Sequence, residues 1–334
     1  MRLGFVINRF ATLSPTYTTT HIAYEAYLRR HVVVLLNTDG FERRPDGSVW
    51  GQVRGLAPGR VKTREEFAQA LREQGGHLSE KMDLSSLDVV FLRNNPANGD
   101  VLNFACCLKH LGVVVLNDPE TLVRANSKMY MTSFPEDIQP RTLISKDARA
   151  IKDFLRDLDT PAILKPLNGF GGEHILYVRR RQKTNLNAYI EALARVNGGY
   201  VVAQEYLPAA KKGDKRILLL DGEIIGAYNR VHASDDIRNN IHSGGRARYA
   251  PITDDDRRVC ARLKPRVLED RLYLVGVDKI GDKILEVNVF APGGINNINL
   301  MSGSNLGRRV VEDLETKVLL RKAYRHRDRL FASA

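Results

Sequence analysis

Apolar positions fall into short β-branched runs separated by segments with helical spacing. Leu3–Asn8 is an apolar run, His21–Arg30 repeats apolar residues at helical intervals, and Val32–Leu36 suits a strand buried on both faces. Asp88–Arg93 predicts another strand, Gly99–His110 a helix and Gly112–Asn117 a strand. Strands alternating with helices predict βαβ units and a mostly parallel, Rossmann-like sheet. Between them, Phe41–His77 is polar and rich in Gly and Arg, and predicts an irregular excursion with one helix, Thr63–Glu73. No G-x-G-x-x-G follows the first strand, so the dinucleotide fingerprint is absent.

The texture changes after Pro119, which opens a predicted helix through Met131. Arg141–Ser145, Ala162–Lys165, His174–Val178 and Tyr200–Gln204 read as strands, with helices at Asp147–Leu158 and Asn185–Val196. Asp221-Gly222 between Lys215–Leu220 and Glu223–Asn229 is a strong hairpin signal, and Gly281-Asp282 joins a second pair, Tyr273–Ile280 and Lys283–Phe290. Leu306–Arg329 predicts an amphipathic helix.

Composition narrows the class. With 334 residues, 43% of them hydrophobic, the chain is long enough for two or three domains with substantial cores. No apolar run approaches the ~18 residues of a membrane span, and Met1–Phe10 reads as a strand rather than a leader. Three cysteines, Cys106, Cys107 and Cys260, make neither a disulfide framework nor a metal pattern, which predicts a reducing, cytoplasmic setting. The net charge of +12 is uneven. The first 120 residues carry 14 basic and 13 acidic side chains, and the remaining 214 carry 37 and 26. Without a nucleic-acid motif or basic–aromatic interleaving, the excess predicts an anionic small molecule rather than nucleic acid. A knot at Arg179–Lys183 and the C-terminal helix hold much of it, and solvation accounts for both.

Four segments carry candidate chemistry. Lys165 ends a buried strand and is followed by Gly169, Gly171 and Gly172, a loop whose N–H groups can surround phosphate oxygens, or an ordinary turn. It is not a Walker A loop. Strand alternation puts Glu286 and Asn288 on one face, with Asp278 on the partner strand able to join them. Two carboxylates and an amide suit Mg²⁺ with substrate phosphates; a solvated face or a Glu286–Lys pair is the alternative. Ala203–Pro208 is a strand end whose main chain can meet a base, and Arg238–Arg246 is a polar Gly-containing loop able to close on an anion, or a solvated surface loop. His242 within it reads as a structural histidine.

The order of these segments resembles the bacterial glutathione synthetase family of the ATP-grasp superfamily. The segments that carry the resemblance are ILKPLNGFGG, AQEYLPAAKKGDKRILLLDGEIIGAYNRV, NNIHSGGR and LVGVDKIGDKILEVNVFAPGG, within about residues 117 to 295. The resemblance implies an α/β ATP-grasp fold: an N-terminal substrate domain over 1–118, a lid subdomain over 119–203, and a subdomain over 204–334 with the metal site and terminal helix. It implies that Lys128, Lys165 and the loop of Gly169, Gly171 and Gly172 hold ATP phosphates. Gln204, Glu205, Tyr206 and Leu207 would hold adenine, with Asp214 near the ribose. Arg216, Arg238 and Asn240 would act catalytically, and Asp278, Glu286 and Asn288 would hold two Mg²⁺ ions, or Mn²⁺. Arg246, Gly293 and Gly294 would meet the peptide substrate. The implied activity is an ATP-dependent carboxylate–amine ligase, forming a peptide bond between γ-glutamylcysteine and glycine through an acyl phosphate. The implied assembly is a homo-oligomer without nucleic-acid or membrane partners, to which the apolar face of Leu306–Leu320 would contribute. Where the family carries Thr-Ser-Pro-Thr-like residues, this chain has Phe290-Ala-Pro-Gly-Gly294, which suits carboxylate capture or a different amine pocket. A ligase for another substrate pair and an ATP-binding regulatory protein are the alternatives.

Overall fold

The computed structural model describes residues 1–73, 79–96, 98–125, 127–167, 174–182, 184–195, 199–231 and 246–332. The chain forms two units, one of residues 1–123, 271–274 and 289–334, the other of residues 124–270 and 275–288. The C-terminal stretch thus belongs with the N-terminal residues, not with the strands that precede it.

The first unit is built on a six-stranded sheet. Its elements are β1 (Arg2–Ile7), α1 (Thr18–Leu28), β2 (Val32–Arg43), β3 (Val49–Gly55), α2 (Arg64–Arg72), β4 (Ser79–Asp83), β5 (Val89–Leu92), α3 (Gly99–His110) and β6 (Val114–Leu116). Strand order is β4-β3-β2-β1-β5-β6. The strands β2, β1, β5 and β6 are parallel, and β3 and β4 add antiparallel at one edge. The parallel core was expected; the edge was not. The polar stretch after Phe41 is a hairpin: β2 runs on to Arg43, and β3 alternates Val49, Gly51, Val53 and Gly55 inward with half-buried residues between. Gly51 is required by close packing, since a Cβ there would lie 2.9 Å from Leu36 Cδ2.

Buried Asn117 shows why the chain's later segments join this unit. Its Oδ1 accepts from the N–H groups of Tyr273 and Leu274 at 2.7 and 2.9 Å, and its Nδ2 donates to the carbonyls of Leu274 and Val289 at 3.0 and 2.6 Å. All four bonding positions of a buried amide are thereby filled, which offsets its desolvation.

After α4 (Pro119–Ala125), the second unit begins with a single-turn helix at Lys128–Ser133; the expected long helix stops at Ala125. Strands β7 (Thr142–Ser145), β8 (Ala162–Pro166), β9 (Leu176–Val178) and β10 (Val201–Glu205) form an antiparallel sheet in the order β7-β10-β8-β9. Helices α5 (Ala148–Asp157) and α6 (Leu186–Ala194) cover it through Ile151, Leu186, Ile190 and Leu193, which pack on Leu164, Val201 and Ala203. The second sheet orders its strands β13-β12-β11-β14-β15. They are β11 (Asp214–Leu220), β12 (Glu223–Val231), β13 (Arg246–Tyr249), β14 (Leu274–Ile280) and β15 (Lys283–Asn288), with α7 (Asp254–Glu269) between β13 and β14. The β11–β12 turn has positive φ at both Asp221 and Gly222, the geometry a two-residue hairpin demands.

Helices α8 (Ile295–Ser302) and α9 (Leu306–Ala332) return to the first unit. The apolar face of α9 (Leu306, Val310, Val311, Leu314 and Val318) is buried within the protomer, while Leu319 and Leu320 are exposed. Gly307 permits that packing, because a Cβ there would lie 2.8 Å from the carbonyl oxygen of His21 in α1. Part of the helix's basic charge also has a local use: Lys322 pairs with Asp88 at 2.7 Å, and Arg321 donates to the Gly112 carbonyl at 3.0 Å. No helix among the described residues is long and apolar enough to cross a membrane.

Candidate active site

Hairpin register places charge in a line across the second sheet. Gly213 adopts φ +96°, and any Cβ there would overlap the Arg230 carbonyl, so only glycine lets β11 start with Asp214 opposite Arg230. Arg230 grips both Asp214 oxygens, with Nε at 3.1 Å from Oδ1, and reaches Asp278 Oδ2 at 2.9 Å. Two residues along β11 on the same face, Arg216 holds both oxygens of Asp278, with Nη2 at 2.8 Å. Asn288 donates from Nδ2 to Asp278 Oδ2 at 3.1 Å, and Glu286 lies opposite Asp278 in the β14–β15 register. Asp278, Glu286 and Asn288 therefore share one face: strand alternation predicts it for Glu286 and Asn288, and a register shift between Asp278 and Lys279 brings Asp278 to join them.

Burial pushes Asp278 toward protonation, but Arg216 and Arg230 outweigh it and hold the carboxyl below its usual range. Glu286 has no such pair among the described residues. Burial raises its pKa, the Asp278 charge raises it further, and Lys165, Arg216 and Lys128 oppose without cancelling the rise. Lys165 is the matching case of opposite sign: burial lowers it to about 8, against the pull of Glu286. Lys128 is likewise lowered by burial, and Glu286 opposes the shift. Two desolvated ammonium groups and one desolvated carboxylate thus meet where the two sheets of this unit approach.

The strand β10 fixes this corner. Lys165 Nζ donates to Gln204 Oε1 at 3.1 Å, and Gln204 Nε2 donates to Thr142 Oγ1 at 2.9 Å. Lys128 Nζ reaches the Leu167 carbonyl at 3.2 Å. The Glu205 carboxylate accepts from the Arg141 N–H at 2.9 Å, and the N–H groups of Glu205 and Tyr206 bond the Arg141 and Pro161 carbonyls at 2.9 and 2.8 Å. The Tyr206 ring meets Tyr177 edge-on at 5.2 Å between centroids. Leu207 opens the single-turn helix Pro208–Lys212, its carbonyl accepting from Ala210 N–H at 2.9 Å.

Lys128, Lys165, Gln204, Asp214, Arg216, Asp278, Glu286 and Asn288 thus sit in one unit along connected hydrogen bonds and charges. Gly169, Gly171, Gly172, Arg238, Asn240 and His242 lie outside the described residues. Arg246 starts the exposed strand β13, and Gly293 and Gly294 precede α8 in the first unit. Two residues carry more than their sequence context announces. Arg230 is identifiable only once register sets it against Asp214. Arg93, buried at the end of β5, stood in the sequence only as the last residue of a strand.

Family models match both parts of the chain. The N-terminal domain of prokaryotic glutathione synthetase matches residues 1–123, and the ATP-grasp domain of prokaryotic glutathione synthetase matches residues 127–303. A glutathione synthetase of Thermosynechococcus vestitus is 36% identical over 318 residues, covering 93% of this chain and 98% of that protein. One from Brucella melitensis is 33% identical, covering 95% and 99%. Among solved structures, the D-cycloserine synthetase DcsG superposes with a TM-score of 0.65 at 16% identity, over 95% of this chain and 99% of that one. A Chryseobacterium gregarium RiPP-associated ATP-grasp ligase gives 0.64 at 14%, over 95% and 97%. At those identities the structures establish the ATP-grasp fold.

Proposed function

The chain belongs to the prokaryotic glutathione synthetase family, and from that membership we propose that it uses ATP to join γ-glutamylcysteine to glycine through an acyl phosphate. The observation that carries the chemistry is the Glu286 carboxylate, buried beside Asp278 and facing Lys165 and Lys128. A carboxylate with a raised pKa next to a second carboxylate fits a divalent cation, which would relieve both desolvation and repulsion. Glu286, Asn288 through its Oδ1, and Asp278 would hold it; a metal there supplies charge neutralisation for the phosphates, and Mg²⁺ suits so few protein ligands.

The chain's own groups account for the remaining requirements. A carboxylate does not yield its oxygen to an amine, so the γ-phosphoryl group of ATP must first be transferred to it, making an acyl phosphate whose phosphate leaves when the amine attacks. Lys165 and Lys128 sit as desolvated cations for the phosphoryl oxygens, where a charge acts more strongly than in water. Arg216 adds a third cation already braced by Asp278. With the Glu205 and Tyr206 N–H groups engaged in the sheet, Leu207 N–H is the donor of that stretch for an adenine edge. No protein nucleophile is needed. A reducing cytoplasm, where ATP and a free peptide thiol coexist, is the fitting setting.

Phosphate release with Mg-ATP, γ-glutamylcysteine and glycine, each omitted in turn, tests the reading. Release that needs all three supports it. Release independent of the peptide and glycine, or none, sinks it. Release with a different dipeptide–amine pair selects a sister ligase.

A further inference from the structure

The first unit buries a cation that no carboxylate among the described residues neutralises. Arg93 follows β5 at the carboxyl end of the parallel strands, where open α/β sheets gather ligands. It is 7% exposed. Its Nε donates to Thr19 Oγ1 at 3.1 Å and its Nη2 to the Pro292 carbonyl at 2.9 Å. The Phe91 ring centroid lies 5.5 Å from the guanidinium carbon. Nη1 is buried without a hydrogen-bond partner. Burial lowers its pKa to about 9, and no carboxylate among the described residues offsets that shift. A guanidinium held out of water by one hydroxyl, one carbonyl and one ring costs stability unless an anion arrives.

The surroundings suit that anion. Thr18 and Thr19 open α1, and the N–H of Ile295, first residue of α8, donates to Thr18 Oγ1 at 3.4 Å, so two helix N-termini converge beside Arg93. Both ends carry partial positive charge. Gly294 takes φ +134°, and a side chain at Gly293 would project into open space. We propose that Arg93 anchors a non-reacting carboxylate of one co-substrate, the peptide or the amino acid, with Nη1 as the donor aimed at it. This rests on the ligase reading and names the group that selects its carboxylate substrates.

Arg93→Met removes the charge at similar volume, and Arg93→Lys keeps it without the fork. Steady-state kinetics should show KM for γ-glutamylcysteine or for glycine raised about 100-fold in Arg93→Met, with KM for ATP moving by less than about twofold. Whichever KM moves identifies the anchored substrate, and Arg93→Lys should recover part of it. The substrate-free Arg93→Met protein should melt at or above the wild-type temperature, because an uncompensated buried charge is gone. Unchanged KM for both substrates would overturn the proposal while leaving the ligase reading intact. So would a lower melting temperature with reduced kcat and unmoved KM, since that is a structural brace. If wild-type protein proves inactive, the ligase reading fails, and calorimetric titration with γ-glutamylcysteine and with glycine decides. Binding lost in Arg93→Met supports the anchor; no wild-type binding of either overturns it.

Discussion

In the second unit Asp278 lies among Arg216, Arg230 and Asn288, while in the first Arg93 lies among a hydroxyl, a carbonyl and an aromatic ring. Both are buried charges, one within β14 and one just after β5. One is paired before any substrate arrives and the other is not. A second set in the second unit repeats the pairing: Asp256 in α7 is held by Lys215 and, at 2.6 Å, by Lys279. His21 of the first unit repeats the economy with charge. Burial first and Arg64 second lower His21 to about 4, so the neutral ring accepts from Arg64 at Nδ1, 3.0 Å away, and faces Asn296 Oδ1 at 3.2 Å with Nε2. On the proposed reading, pairing would preorganise a surface for a nucleotide whose charge is large and constant. An unpaired cation makes the site's stability depend on an incoming anion, which favours selection.

A change in the second unit should have the largest effect. Glu286→Ala should lower turnover about 1000-fold or more while the melting temperature holds or rises, because a desolvated carboxylate has been removed from beside Asp278. Phosphate release and differential scanning calorimetry read the two outcomes; unchanged turnover would refute the metal role. Arg216→Met comes next. It leaves Asp278 with Arg230 alone and should destabilise the protein by about 3 kcal/mol, seen as a lower denaturation midpoint. A cost near zero would mean that Arg230 and Asn288 suffice.

Asp256 sharpens the comparison through pH. Burial opposes ionisation, but Lys215, Lys279 and the Thr253 N–H bring the carboxyl down to about 2. A folded pKa below the ordinary ~3.9 means that its stabilisation is complete above the ordinary value and disappears as pH falls through 2. Asp256→Asn should therefore cost about 2 kcal/mol near neutrality, and the gap to wild type should close between pH 4 and about 2 in urea titrations. A pH-independent gap would assign the loss to packing.

These paired groups were legible to different degrees, for physical reasons. Glu286 and Asn288 stood out because polar residues alternate within apolar strands, and the Asp221-Gly222 turn announced the β11–β12 hairpin but not the one-residue shift between Leu218 and Leu219 that sets Asp214 against Arg230. Arg230 did not, because its partner lies across the hairpin and an arginine between Asn229 and Val231 reads as an edge residue. Arg93 carried no spacing signal; what marks it is burial without an anion, a tertiary property. The β2–β3 hairpin was hidden because its polar face outnumbers the inward Val49 and Val53, although Pro45-Asp46-Gly47 announces the turn. Residues 254–269 predicted no element, yet Thr253 and Asp256 form a capping box ahead of Val259, Leu263 and Val267 at helical spacing.

That box has a counterpart in the first unit, and the smallest expected effect comes from comparing them. In α2 the Glu66 N–H donates to Thr63 Oγ1 at 3.1 Å, and Glu66 Oε2 accepts from the N–H groups of Thr63 and Lys62 at 3.3 and 2.8 Å. In α7 the Asp256 N–H donates to Thr253 Oγ1 at 3.2 Å, and the Asp256 carboxylate accepts from the Thr253 N–H at 2.9 Å. The motif is the same, but Glu66 faces solvent and Asp256 is buried with two lysines. Thr63→Ala should cost about 1 kcal/mol, the usual worth of an N-cap, and Glu66→Gln less, since an amide oxygen still reaches the same N–H groups. Thr253→Ala should cost the same as Thr63→Ala, whereas Asp256→Asn should exceed Glu66→Gln several-fold. Chemical denaturation of the four variants measures it. Equal costs for the two acidic residues would show that the lysines add nothing to Asp256, and the contrast between paired and unpaired buried charges would then rest on Asp278 and Arg93 alone.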